Sequence, residues 1–257
     1  MNKWNLKVNT IRTFLSSIAF THKMKNFSNP AASFKVAKCL KGASKASLSK
    51  IKVGSNCTRK RLPITKQILE NLIDSIDHLE LDSYDHILYK ALFLLTFYAC
   101  LRAGEVVNSN NRSNIITFQQ VKYLDKGNKS EFEITFERYK HSKEPLTLLL
   151  KSANQPEYCP VKALKNYLSI RGKSDGPIFF DKTKKTISRN RFAKILKQTL
   201  KIAGYNEKHF NTHSFRIGRT TDLALKNVPL SLIKAIGRWK SNAFMKYIKI
   251  DHTVLPP

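Results

Sequence analysis

Residues 212–250 read THSFRIGRTTDLALKNVPLSLIKAIGRWKSNAFMKYIKI. His213 and Arg216 stand three apart, Gly237-Arg238-Trp239 follows, and Tyr247 comes eight positions after Trp239. Residues i and i+3 lie one turn apart on a helix, so the imidazole and the guanidinium can face a single ligand. Thr212 or Ser214 is placed to cap that helix, whose amide-rich N-terminus favours an anion. An Arg fork grips phosphate bidentately, and an imidazole beside it can donate or accept a proton. A second short helix, starting at Ser241 or Asn242, sets Phe244 and Ile248 on one face and holds Tyr247 on a packed element. A phenol beside an Arg-bound phosphate is a potential nucleophile, because neighbouring cations stabilise the phenolate. Taken singly, each residue has a plainer reading: a solvated helix face, a core tryptophan, one more packed aromatic.

The order and spacing of the set resemble the C-terminal signature of tyrosine recombinases, the phage-integrase class: His-x-x-Arg, then Gly-x-Trp, then a Tyr one short helix on. GRW followed by a Tyr eight positions later is closest in look to the recombinases of DIRS-type and Crypton-type mobile elements. The resemblance implies a mainly α fold with a small three-stranded antiparallel sheet. It also implies a short helical, SAM-like core-binding domain ahead of the catalytic domain.

Composition points the same way. The 257 residues carry 46 Lys plus Arg against 18 Asp plus Glu, a formal net charge of +28. That excess implies a polyanionic partner, with nucleic acid ahead of an anionic membrane surface. The most apolar run, ALFLLTFYACL at 91–101, is too short for a bilayer, which needs about 18 or more residues. The N-terminus lacks the pattern of a secretory signal. Cys39, Cys57, Cys100 and Cys159 show no metal-binding spacing and read as reduced intracellular thiols. No Walker-type loop, paired carboxylates or His cluster calls for ATP or a metal, so no cofactor is expected.

In chain order, Ile11, Phe14, Leu15 and Ile18 make a helical stripe, and a break at Asn29-Pro30 precedes a second basic helix through Phe34, Ala37, Lys38 and Leu40. This part resembles the family's core-binding domain, with room for only two or three of its helices. The stretch 41–61, KGASKASLSKIKVGSNCTRKR, lacks periodicity and reads as a connecting segment. We therefore divide the chain into a core-binding domain at 1–50, a basic linker at 51–61 and a catalytic domain at 62–257. Arg59, Lys60 and Arg61 suit a DNA backbone, nuclear import or simply a solvated linker.

Thr65 is a plausible cap for a helix whose face is Ile64, Ile68, Leu69, Leu72, Ile73 and Ile76. A buried helix is expected over 86–100, ending in Leu101-Arg102-Ala103-Gly104-Glu105. An Arg there is costly to bury unpaired, and Glu105 is its structural partner. Period-two patterning places strands at Ile116, Phe118 and Val121, at Phe132, Ile134 and Phe136, and at Leu146, Leu148 and Leu150. Turns fall at Gly127-Asn128 and Glu144-Pro145, the second carrying Lys140 and Lys143. Pro160 opens a helix that Gly172 closes. Another, over 188–203, turns Phe192, Ile195, Leu196, Thr199 and Leu200 inward and Arg189, Arg191, Lys194, Lys197 and Lys201 outward, a face suited to tracking phosphates or simply to water.

The resemblance implies DNA breakage and rejoining without metal or ATP. Tyr247 attacks a phosphodiester to give a 3'-phosphotyrosyl link. Arg102, buttressed by Glu105, and Arg216 neutralise transition-state charge. Lys140, at the strand end and better placed than Lys143, protonates the leaving 5'-oxygen. His213 assists proton movement, and Trp239 packs and donates its indole N–H. Lys143, Arg189 and Arg191 join the basic linker residues as expected DNA contacts. Such an enzyme would act on duplex DNA in the nucleus, assembling into a synaptic homo-oligomer and serving a transposable element. Two other readings remain: a non-catalytic DNA-binding descendant, against which every signature position holds a usable residue, and a type IB topoisomerase, which the HSFR and GRW wording disfavours.

Overall fold

The structure, a computed structural model, describes residues 6–49, 61–108, 115–125, 127, 130–137, 139 and 144–249, with side chains to 46 in the first segment. The chain divides into two compact units, Met1–Lys60 and Arg61–Pro257. In the first, α1 (Val8–Met24) and α2 (Phe34–Ser49) flank a 3-10 turn at Pro30–Ala32. The Asn29 carboxamide opens that turn by accepting the Ala31 N–H at 3.0 Å. The least exposed line of α1 runs through Ile11, Leu15 and Ala19, whereas Phe14 and Ile18 of the expected stripe face solvent. Residues 41–49 continue α2 and do not form a connecting segment, as the helix-favouring Ala43 and Ala46 allow. The rest of the linker, with Arg59 and Lys60 but not Arg61, lies outside the described residues.

The second unit is mainly helical around a large core, with a smaller apolar cluster near its C-terminal helices and a small antiparallel sheet. Thr65 caps α3 (Lys66–Ile76) by accepting the Ile68 N–H at 3.3 Å, and Ile64, Leu69, Leu72, Ile73 and Ile76 are buried. Asp82 caps α4 (Ser83–Tyr98) by accepting the Asp85 N–H, so the buried helix starts three residues earlier than its apolar run. This helix packs against α3 and two later helices, α6 (Pro160–Arg171) and α8 (Ser214–Leu225). Four residues after α4 comes the single turn α5 (Ala103–Val106).

Strands β1 (Val121–Leu124), β2 (Glu131–Phe136) and β3 (Leu146–Lys151) lie in that order, with Phe132 opposite Leu150 and Ile134 opposite both Val121 and Leu148. The first strand begins later than its apolar pattern, because Phe118–Gln120 form a 3-10 turn. Ile116 is buried outside the sheet, its carbonyl accepting the Ile178 N–H at 2.8 Å. After α6, the buried Arg171 donates to the carbonyls of Gly172, Ser174, Pro177 and Ile178 and fixes that return loop. Ser188 caps α7 (Arg189–Ile202), and all five residues expected to face inward are buried. α8 then enters the core, followed by α9 (Leu230–Ile236) and a 3-10 helix at Asn242–Tyr247.

Gly218 sets the depth of α8. A Cβ there would overlap the Ile64 backbone, whose N–H donates to the Ser214 carbonyl at 3.0 Å. Gly218→Ala is therefore expected to cost about 1–3 kcal/mol or more, because backbone cannot yield as a side chain can. Denaturant unfolding should show it as a lower midpoint with unchanged slope; an unaltered midpoint would mean that α8 shifts freely.

Candidate active site

Cys100 closes α4 in the left-handed conformation at φ +50°, which turns Arg102 into the first position before α5. Glu105 reaches back to it: one oxygen accepts the Arg102 amide at 2.8 Å, and the other accepts Nη1 at 2.8 Å. The Glu105 side chain is 6% exposed and that of Arg102 is 23% exposed. Burial opposes charge on Glu105, but Arg238, Arg102 and Arg216 outweigh it and hold its carboxyl below the usual range. The pair is at once a structural ion pair and a mount that leaves part of the Arg102 guanidinium open to a ligand.

Neither Thr212 nor Ser214 caps α8. His213 takes the cap position, held by the Asn211 carboxamide, which accepts its N–H at 2.9 Å, while the Ser214 hydroxyl accepts the Asn211 N–H. The two residues expected to face one ligand also differ in access. His213 is half-buried; Arg216 is fully buried, with Nη1 donating to the Cys100 carbonyl and Nη2 to the Gly237 carbonyl. Its guanidinium lies 4.0 Å from the centroid of the Trp239 ring. Burial lowers the pKa of Arg216 to about 10, so it stays charged at neutral pH. Trp239 in turn rests on Gly237, where any Cβ would overlap its ring. Gly-Arg-Trp is thus a packing unit as well as a signature.

Tyr247 ends the 3-10 helix, which Ser241 caps by accepting the Ala243 N–H at 3.3 Å. The tighter helix matters: with three residues per turn, positions 244 and 247 eclipse, which the expected α-helix would not give. Phe244 and Tyr247 consequently both meet Trp239, at 5.8 and 5.2 Å between ring centroids. Ile248 lies just past the helix and packs on the small cluster of Leu223, Ile233 and Phe244. The Thr221 hydroxyl sits 3.2 Å from the Tyr247 carbonyl and accepts the Lys249 N–H at 3.0 Å, tying the segment to α8. The Tyr247 ring stands edge-on to His213 at 5.0 Å.

Burial first, and then the charges of Arg216, Arg61, Arg102 and Arg189, lower the His213 pKa to about 4. The imidazole is therefore neutral at physiological pH, a proton acceptor beside a phenol. The same shift makes a stability prediction. Between about 6.5 and about 4 the unfolded histidine holds a proton that the native one refuses, so stability falls as pH drops through that window. His213→Gln should flatten this loss in unfolding midpoints compared at pH 7 and pH 5. Equal slopes for the two proteins would mean that His213 is not desolvated.

Arg102, Glu105, His213, Arg216, Trp239 and Tyr247 thus converge from separate elements. The charges of Arg61 and Arg189 are felt at His213. Arg191 is paired with Asp85 at 2.7 Å and Asp181 at 3.1 Å, two carboxylates whose approach no helical pattern reveals. Lys140 and Lys143 lie outside the described residues. Sequence reasoning missed Arg238, the Cys100 carbonyl and Thr221. Arg238 was visible inside GRW but carried no spacing rule of its own.

Residues 63–252 match the Phage integrase family. An "Integrase/recombinase xerD homolog" of Selenomonas ruminantium is 28% identical over 254 residues, covering 95% of this chain and 69% of that protein. The fold is shared with the XerH site-specific recombinase in its pre-cleavage complex with a difH substrate, at a TM-score of 0.57 and 18% identity over 97% of this chain and 69% of that one. It is shared also with the XerA recombinase, at a TM-score of 0.52 and 16% identity over 97% of this chain and 80% of that one.

Proposed function

The chain belongs to the phage integrase family, and from that premise we propose that it is a site-specific recombinase that cuts and rejoins duplex DNA through Tyr247. The observation that carries the reading is the seating of the Tyr247 ring between His213, at 5.0 Å, and Trp239, at 5.2 Å, with Trp239 lying over Arg216.

In the proposed reaction the Tyr247 oxygen attacks the scissile phosphorus and its proton passes to neutral His213. The bond from phosphorus to the 5'-oxygen breaks, leaving a 3'-phosphotyrosyl link. Arg102 and Arg216 neutralise the charge that builds on the non-bridging oxygens. Because Trp239 covers Arg216, docking of the phosphate requires the indole to shift from the guanidinium face. The leaving 5'-oxygen needs a proton, for which Lys140 is our candidate. The phosphodiester bond energy is kept in the phosphotyrosine, so a 5'-hydroxyl from a second strand reverses the step and completes exchange.

The wider reading follows from the sequence. A net charge of +28 favours duplex DNA as partner, with Arg59, Lys60, Arg61, Lys143 and Arg189 on its backbone. Strand exchange between two sites calls for a homo-oligomer on the DNA. The GRW motif with its Tyr eight positions on favours a DIRS-type or Crypton-type mobile element working in a nucleus. Incubating the protein with nicked suicide duplexes of candidate element ends tests the central claim. A covalent adduct stable to denaturant is expected, and its absence from every element end would overturn the reading.

A further inference from the structure

Arg238 has no role in the reaction outlined above, yet it sits at the junction of the groups that do. We infer that Arg238 is a positioning residue for strand cleavage, holding Arg102 and Arg216 in register through Glu105 and the Cys100 carbonyl. The inference rests on the recombinase reading of the same site.

Four observations carry it. Arg238 adopts φ +56°, a left-handed conformation that a non-glycine residue keeps only where its surroundings compel it. Its side chain is fully buried. Its Nη1 donates to the Ile236 and Ala99 carbonyls at 2.9 and 3.3 Å, and its Nη2 donates to Glu105 Oε2 at 2.8 Å and to the Cys100 carbonyl at 3.2 Å. The guanidinium also lies 4.2 Å from the Phe136 ring centroid, at the end of β2.

These contacts divide one carboxylate between two arginines. Glu105 Oε1 takes Arg102 Nη1, whereas Oε2 takes Arg238 as well as the Arg102 amide. Were Arg238 absent, the whole carboxylate charge would fall on Arg102 and draw both of its Nη groups inward. With Arg238 in place, Arg102 commits only Nη1 to Glu105, and its Nη2 rests 3.4 Å from the Arg238 carbonyl. The Cys100 carbonyl is shared in the same way, by Arg216 Nη1 and Arg238 Nη2. A displacement of Arg238 therefore reaches both phosphate-binding arginines.

A purely structural Arg238 would only balance the buried charge of Glu105, and substitution separates the two roles. Arg238→Lys keeps the positive charge but cannot donate in the several directions that the fork serves. With the full chain and a suicide duplex that the unsubstituted protein cleaves, Arg238→Lys should slow single-turnover cleavage by about tenfold or more, with duplex affinity within about twofold. Replacing the scissile phosphate by a neutral methylphosphonate should shrink that deficit to below about threefold, because a neutral linkage asks less of Arg102 and Arg216. Cleavage at the unsubstituted rate, or an equal deficit on both substrates, overturns the inference while leaving the recombinase reading intact. Failure of the unsubstituted protein to form any adduct overturns both. Should Arg238→Lys not fold, Glu105→Gln and Glu105→Gln/Arg238→Met make the comparison instead, the double variant removing both members of the buried pair. With the carboxylate gone, Arg238 acts only through the shared Cys100 carbonyl, so the double variant is expected to be about threefold or more slower than the single, and equal rates would sink the inference.

Discussion

Tyr247→Phe is expected to abolish covalent adduct formation while leaving the fold and DNA affinity in place. The substitution removes one oxygen and keeps the ring that packs against His213 and Trp239, so stability should change by no more than about 0.5 kcal/mol. Adduct yield, in contrast, should fall to background, since the removed atom is the proposed nucleophile. The chain has nine tyrosines, which makes the assignment falsifiable. Tyr205 is the nearest rival in sequence, but its hydroxyl accepts from the Asn71 amide at 2.7 Å and its ring packs against the core. Tyr84 and Tyr167 are engaged with the Phe180 carbonyl, and Tyr158 donates to Asp74. A labelled DNA fragment carried by any other tyrosine, or an adduct that persists in Tyr247→Phe, would remove Tyr247 from the mechanism.

Arg216→Lys should lower cleavage by about a hundredfold to a thousandfold, the range for loss of a preorganised cationic donor at a developing charge. It should also lower stability, because an ammonium cannot span the Cys100 and Gly237 carbonyls that the guanidinium now bridges. Leaving one buried carbonyl without its donor costs about 1–3 kcal/mol. The two effects can be told apart by measuring cleavage below the melting transition, where both proteins are folded. A loss of stability with cleavage intact would make Arg216 a bracket between α4 and the turn after α9, and would shift the phosphate-binding role to Arg102 alone.

Much of this molecule could be read before its structure. Helix α7 shows why: Ser188, then Phe192, Ile195, Leu196, Thr199 and Leu200, encode both the cap and the buried face in local spacing. The break at Asn29-Pro30, the Thr65 cap and the closure at Gly172 are equally local. Where expectation and structure part, a longer-range contact or a tighter helix intervenes. Ile116 alternates like a strand residue but is buried against the return loop, and Phe118–Gln120 coil into a 3-10 turn beside it. Arg191 lies on a basic helical face, yet Asp85, 106 positions away, claims it.

The candidate site divides along the same line. Sequence alone singled out the candidate site residues and the apolar helix faces, because residue type and a period of two or 3.6 are local properties. It also placed Arg102 beside Glu105, since three residues on one turn suffice for that contact. Only the tertiary structure decided where the long side chains end. Arg216 could have pointed to solvent, but a carbonyl turned inward at Cys100, another at Gly237 and the Trp239 ring hold it in the core. Arg238 could have been one more surface cation, but its left-handed backbone turns it toward Glu105, 133 positions away. A guanidinium on a flexible stem has many rotamers of similar energy. The buried acceptors that select one of them come from segments far apart in the chain, so their meeting is a property of the fold.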